Sequence, residues 1–164
     1  MTKALLAFVY AVMVESTLAL SIRPPTCQVF PGTDTYAVEG FYANTGLVSN
    51  VSSYSMNVTL NQQGCNPFTV VCHGTATTDP PLTYLPETKC VNESVSFSWS
   101  GSPPSGDSKG GFTLKIFDDK GFSGLHNIPG SAYQLRAITR GYHSYYINTT
   151  STFNVERSLK PRIG

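Results

Sequence analysis

Three observations predict an all-β fold, a single compact antiparallel β-barrel or sandwich of seven or more strands. Apolar and polar residues alternate with period two over several short runs. No window carries the i, i+3, i+4, i+7 apolar stripe of an amphipathic helix. Turn-forming residues separate the alternating runs, as connections between neighbouring strands require.

In chain order, the first strand is expected over 36–42. Tyr54, Met56, Val58 and Leu60 then alternate with Ser55, Asn57 and Thr59, which sends one set to a core face and the other to water. A further strand is expected over 68–74, after which Pro80, Pro81 and Pro86 break the segment leading to Cys90. Val95, Phe97 and Trp99 alternate with Ser96, Ser98 and Ser100. Ser100 to Gly111, rich in Ser, Gly and Pro, reads as a flexible loop within the domain. Phe112, Leu114 and Ile116 alternate with Thr113 and Lys115, and Asp119-Lys120-Gly121 reads as a hairpin turn. The last strands are expected over 132–139, 142–148 and 152–155.

Residues 1–19 read as a secretory signal peptide. Lys3 supplies a positive start, 4–14 is an apolar run, and Thr17-Leu18-Ala19 puts small residues at the cleavage positions. The run is too short to span a bilayer, which takes about 20 apolar residues. Residues 20–164 are then one secreted domain, and no hydrophobic tail for a lipid anchor follows Lys160. A secreted, extracellular protein is expected, held to no membrane.

Only 13% of the 164 residues are charged and the net charge is +1. A soluble domain ordinarily has roughly 25% charged residues. With no basic run, nothing points to nucleic acid. Polarity comes instead from 18 Ser and 18 Thr.

All four cysteines, Cys27, Cys65, Cys72 and Cys90, lie after the signal, in an oxidising compartment, where an even count reads as two disulfides. Three pairings exist. The very small loop that Cys65–Cys72 would close favours Cys27–Cys65 with Cys72–Cys90. The spacing lacks the C-x2-4-C of a thiolate metal site, so no metal and no cofactor is expected. Four sequons, at Asn50, Asn57, Asn92 and Asn148, are candidate N-glycosylation sites. Asn57 alternates away from Met56 and Val58 and is expected on the solvent face.

Enzyme signatures are weak. Gly121-Phe122-Ser123-Gly124-Leu125 resembles a nucleophile elbow, but Leu125 stands where the second glycine belongs, so Ser123 reads as a loop serine. A ribonuclease-like hydrolase needs an acid–base pair and a cation for developing phosphate charge. Glu39, His73, His126, His143, Arg136 and Arg140 are the right types, yet no spacing selects them. Tyr142, Tyr145 and Tyr146 cluster near the C-terminus, and Tyr145 and Tyr146 must point to opposite faces of a strand. An outward tyrosine can stack on a sugar, a planar ligand or a protein partner, the alternative being that it fills the core.

The runs Val38-Glu39-Gly40-Phe41-Tyr42-Ala43 and Ser53-Tyr54-Ser55-Met56 are followed by Val70-Val71-Cys72-His73-Gly74 and the loop cysteine Cys90. Val95 to Trp99 and Phe112 to Ile116 complete a pattern over roughly 36–117 that resembles the fungal secreted family of the major Alternaria allergen. Val71 stands where the family has threonine. The resemblance implies a β-barrel without a shared enzymatic activity, and an effector or elicitor role at a plant host interface. It also implies a partner that is a host extracellular protein or a small phenolic or glycan ligand. It implies a Cys72–Cys90 disulfide and makes Cys27 the cysteine that links some members into dimers. Cys65 is extra and the family's later cysteine pair is missing, so Cys27 is expected to pair with Cys65, leaving a monomer or non-covalent dimer. The resulting expectation is a secreted, non-enzymatic binding protein of effector type. A small ribonuclease-like hydrolase and a lectin-like glycan binder using the C-terminal tyrosines are the alternatives.

Overall fold

The computed structural model describes residues 34–45, 50–138, 142–149 and 152–159, with backbone alone at 137–138 and 142–143. The signal segment, Cys27 and Arg140 lie outside the described residues, as do the side chains of Tyr142 and His143. Eleven strands are described: β1 (Thr35–Thr45), β2 (Val51–Asn61), β3 (Phe68–Thr77), β4 (Tyr84–Lys89), β5 (Val95–Ser102), β6 (Gly111–Asp118), β7 (Phe122–Pro129), β8 (Tyr133–Ile138), β9 (Tyr142–Asn148), β10 (Phe153–Glu156) and β11 (Ser158–Leu159). The one other element among the described residues is a 3-10 turn at Gly130–Ala132. No helix among the described residues is long and apolar enough to cross a membrane.

The strands form two antiparallel sheets. The first has the order β3-β2-β1-β9-β8, with β10 also paired to β1; the second has the order β11-β7-β6-β5-β4. Of the two architectures expected, the sandwich is the one formed, and no closed barrel is present among the described residues. The reason lies at the two seams, where the ladder stops. Between β3 and β4 the link is the Cys72–Cys90 disulfide and one backbone bond, from Val91 N–H to Val71 O at 2.9 Å. At the opposite seam, β10 leaves the first sheet and β11 joins the second, with Arg157 between them. Cys72–Cys90 is the disulfide formed among the described residues. The expected Cys27–Cys65 bond involves a residue outside them, and no described cysteine is free.

Period-two alternation builds the core. Tyr54, Met56, Val58 and Leu60 face Val95, Phe97 and Trp99, and Phe112, Leu114 and Ile116 complete the opposite wall. Trp99 lies at the centre, stacked between Phe41 and Phe112 with ring centroids 5.1 Å away on each side. Its indole N–H donates to Leu82 O at 2.6 Å. Leu82 is fully buried at φ +62°, and its N–H is held by Ser52 Oγ at 2.9 Å. A left-handed leucine costs on the order of 1–3 kcal/mol, which these two bonds and the burial of its side chain offset.

Three expectations are corrected. The 100–111 loop is shorter: β5 runs to Ser102 and β6 starts at Gly111, because Gly101 lets the strands approach. A Cβ on Gly101 would meet Gly111 O at 2.3 Å. The remaining turn is narrowed by a Ser105–Ser108 bridge. Pro86 does not break the chain but sits in β4, an edge strand with a bulge between Leu85 and Thr88, where proline costs no central ladder bond. Ser123 is a strand residue of β7, opposite Phe117, rather than a loop serine.

Candidate functional site

The site begins with a break in the alternation. In β1, Tyr36 and Val38 face inward, whereas after the bulge between Glu39 and Tyr42 the inward residues are Phe41 and Ala43. Gly40 occupies the bulge at φ +60°, a conformation that suits glycine because it lacks a Cβ. Shifting the parity by one residue drives Phe41 onto Trp99 and turns Tyr42 out of the sandwich, 37% exposed.

Tyr42 pairs with Asn148 across to β9, Asn44 with Tyr146, and Tyr146 in turn with Gln134 of β8. Cross-strand partners share a face, so Tyr42, Tyr146 and Asn148 lie together on the outer face of the first sheet. Tyr42, Leu135, Arg136, Tyr146 and Asn148 line a groove of about 440 Å³ there. The Tyr146 hydroxyl bonds Gln134 Oε1 and fixes the ring. Arg136 is exposed, and no carboxylate among the described residues lies within ion-pair distance of it. Leu135, also exposed, adds apolar surface at the rim. The groove offers two aromatic rings, an aliphatic side chain, one cation and a carboxamide. That set fits a ligand held by shape and ring contact, with one anionic or hydroxyl-bearing group.

Tyr145 and Tyr146 point to opposite faces, as expected. Tyr145 stacks on Tyr133 at 5.1 Å, and Tyr133 on Phe112 at 5.8 Å, extending the aromatic column from Trp99 towards the sheet edge. Burial, with the neighbouring Tyr145 second, pushes the Tyr133 phenol up to about 12. Tyr145 is thus part of the support and Tyr146 is the groove residue. Tyr42 and Leu135 were missed by the sequence reading. Strict alternation from Tyr36 puts Tyr42 inward, and the bulge-forming Gly40 is the signal that could have corrected it.

Of the candidate hydrolytic residues, Glu39, His73 and His126 are dispersed, whereas the backbones of Arg136 and His143 lie close together in the β8–β9 pair. Glu39 and His73 are exposed on β1 and β3, with β2 between them. The partner of Glu39 on β2 is Asn57 and that of His73 is Ser55. With strands about 4.8 Å apart, the two backbones stand about 10 Å or more from each other. His126 belongs to the other sheet, where it stacks on Phe153 at 3.9 Å, and burial pushes its pKa below the ordinary value. Among the described residues, no group of three or more His, Cys, Asp and Glu could hold a metal ion. A second depression, of about 390 Å³, is lined by Asn61, Gln62, Gln63 and Pro67 and presents neither an aromatic ring nor a charge. The sequon asparagines Asn50, Asn57, Asn92 and Asn148 are all exposed.

No protein-family model and no curated protein matches the chain.

Proposed function

We propose that this is a secreted, non-enzymatic binding protein that engages an extracellular partner through the Tyr42–Tyr146 groove. The observation that supports the reading is the Gly40 bulge, which takes Tyr42 out of the core register and sets it beside Tyr146 on an open sheet face. The near-neutral composition, with Arg136 as the one cation among the described lining residues, favours recognition by ring contact and shape over charge. The effector or elicitor role implied by the resemblance is consistent with such a surface, with a plant extracellular protein or a small phenolic molecule as partner.

A glycan ligand is the second reading, favoured by the hydrogen-bonding groups of Asn148, Gln134 and Arg136 next to Tyr146. One experiment addresses both. The protein produced without N-glycans, and its Tyr42→Ala/Tyr146→Ala variant in the same form, are screened against plant extracellular fluid, a panel of flavonols and a glycan array. The reading expects one class to bind the parent and to bind the variant at least about tenfold more weakly, the equivalent of ~1.4 kcal/mol. Equal binding by both proteins would remove the groove from the account. RNA cleavage by the parent, lost in His73→Ala or His126→Ala, would replace binding by hydrolysis.

A further inference from the structure

Asn148 is both a sequon asparagine and a wall of the groove. Its sequon, Asn148-Thr149-Thr150, follows Tyr146 by two residues, and residues two apart on a strand share a face. Tyr42 is the cross-strand partner of Asn148. A sugar joined to Asn148 Nδ2 would therefore start between two tyrosine rings. The other three sequons are built differently. Two residues before Asn57 stands Ser55, and its cross-strand neighbours are Glu39 and Val71. Asn92 follows Cys90 by two and folds back on itself, its Oδ1 accepting the Ser94 N–H at 3.0 Å. Asn50 has Val48 two residues before it. Only at Asn148 do sequon, strand parity and groove coincide.

We propose that Asn148 carries an N-linked glycan whose first N-acetylglucosamine seats against Tyr146 and Tyr42 and caps the groove. The apolar face of a pyranose ring presents C–H groups that pack on an aromatic face, while its hydroxyls and acetamido group remain free to bond polar neighbours. Here those neighbours are Arg136 and Gln134. The groove's occupant in the secreted form is thus the chain's own sugar. A partner of the groove meets an open site only on chains that leave Asn148 unmodified. Glycan occupancy then sets the fraction of binding-competent protein, and apparent affinity falls in proportion to that fraction. This rests on the proposed secretion and, for its capping role, on the proposed binding groove.

The test uses the full chain secreted from a glycosylating eukaryotic host, as parent, Asn148→Gln, Tyr146→Ala and the double variant. Peptide mass spectrometry is expected to find Asn148 occupied, and an unoccupied Asn148 would overturn the proposal. After enzymatic trimming to a single N-acetylglucosamine, the parent should melt about 3–5 °C above Asn148→Gln, a shift typical of one ring contact in a domain of this size. In the Tyr146→Ala background the same Asn148→Gln step should produce no shift. An equal shift in both backgrounds would show that the sugar does not use the ring. For the cap, flavonol binding is compared between glycosylated parent and Asn148→Gln, with at least a tenfold gain expected in the latter. Equal, measurable binding by both overturns the cap and leaves the groove as a binding site. No binding by either, with the melting shift intact, removes the binding reading and leaves the sugar seat standing.

Discussion

The two seams of the sandwich are closed by different chemistry. On one side Cys72 and Cys90, both buried and 18 residues apart, are joined covalently next to the Val91–Val71 backbone bond. On the other side a single buried side chain, Arg157, performs the same task with charge. Its Nη1 donates to Asp34 Oδ2 at 2.9 Å and its Nε to Asp118 Oδ2 at 2.7 Å. Nη2 lies 2.6 Å from the same Asp118 oxygen, although off a hydrogen-bond angle. The guanidinium also stacks on Phe122, 4.1 Å from the ring centroid. Asp34 and Arg157 are 123 residues apart, so the ionic seam gathers the two ends of the described chain and Asp118 from the middle. A covalent bond acts mainly by restricting the unfolded chain. The ionic cluster acts only in the folded state, and only while every partner stays in place.

The largest expected effect is therefore at the ionic seam. Arg157→Met keeps an apolar side chain against Phe122 but leaves two buried carboxylates without a cation. Breaking a buried ion pair in this way costs about 3–5 kcal/mol, read as a lower midpoint in urea unfolding. Arg157→Lys should recover only part of that, since one ammonium cannot bridge two carboxylates as a planar guanidinium does. Cys72→Ala/Cys90→Ala should cost about 3 kcal/mol, the chain-entropy value for a loop of this size. Hydrogen exchange sharpens the contrast. Arg157→Met should speed exchange in β10 and β11 under native conditions, whereas the cysteine variant should leave β3 protected. If both variants loosen their own seam to the same degree, the assignment of one to the unfolded and the other to the folded state is wrong.

The same contrast separates what was legible in the sequence from what was not. Cys72 and Cys90 could be paired because cysteines are few, a Cys65–Cys72 bond would close a very small loop, and the family resemblance implies the same bond. Arg157, Asp34 and Asp118 carry no such mark, since any surface arginine or aspartate looks the same until topology brings them together. Within single strands, period two exposed Val95-Ser96-Phe97-Ser98-Trp99 at once, because each side chain is assigned to a face by parity alone. It failed for β7, where Gly124 and His126 take the two inward positions between the buried Phe122 and Ile128. A Cβ on Gly124 would meet Val155 Cγ1 at 2.6 Å, so the crossing of β10 rather than strand propensity dictates that glycine. It failed for Tyr42 through the bulge at Gly40, and with Tyr42 went half of the candidate site. Tyr146 was found because its neighbour Tyr145 forces the pair to opposite faces whatever the register.

The smallest expected effect comes from pH and, of the two seams, falls on the ionic one. Tyr36 is fully buried and its hydroxyl donates to Asp118 Oδ2 at 2.9 Å, the oxygen that Arg157 also holds. Burial first, then the charge and hydrogen bond of Asp118, raise the Tyr36 pKa above its ordinary 10.0. An unfolded chain releases this proton near pH 10 while the folded chain keeps it, so the unfolded state binds fewer protons and stability falls as pH rises. The contribution of Tyr36 is fully present below pH 10 and is lost above it. Burial also pushes Tyr54 up to about 12, so the parent has more than one such group. Tyr36→Phe isolates the seam: it removes one hydrogen bond, worth about 1 kcal/mol at neutral pH, and one titrating phenol. The variant should start less stable than the parent and lose stability less steeply between pH 10 and 12, so that the difference narrows as pH rises. Urea midpoints at pH 8, 10 and 11 measure it. A difference that stays constant would mean that the Tyr36 proton is not tied to the Arg157 cluster, and that alkali leaves this seam as indifferent as the disulfide.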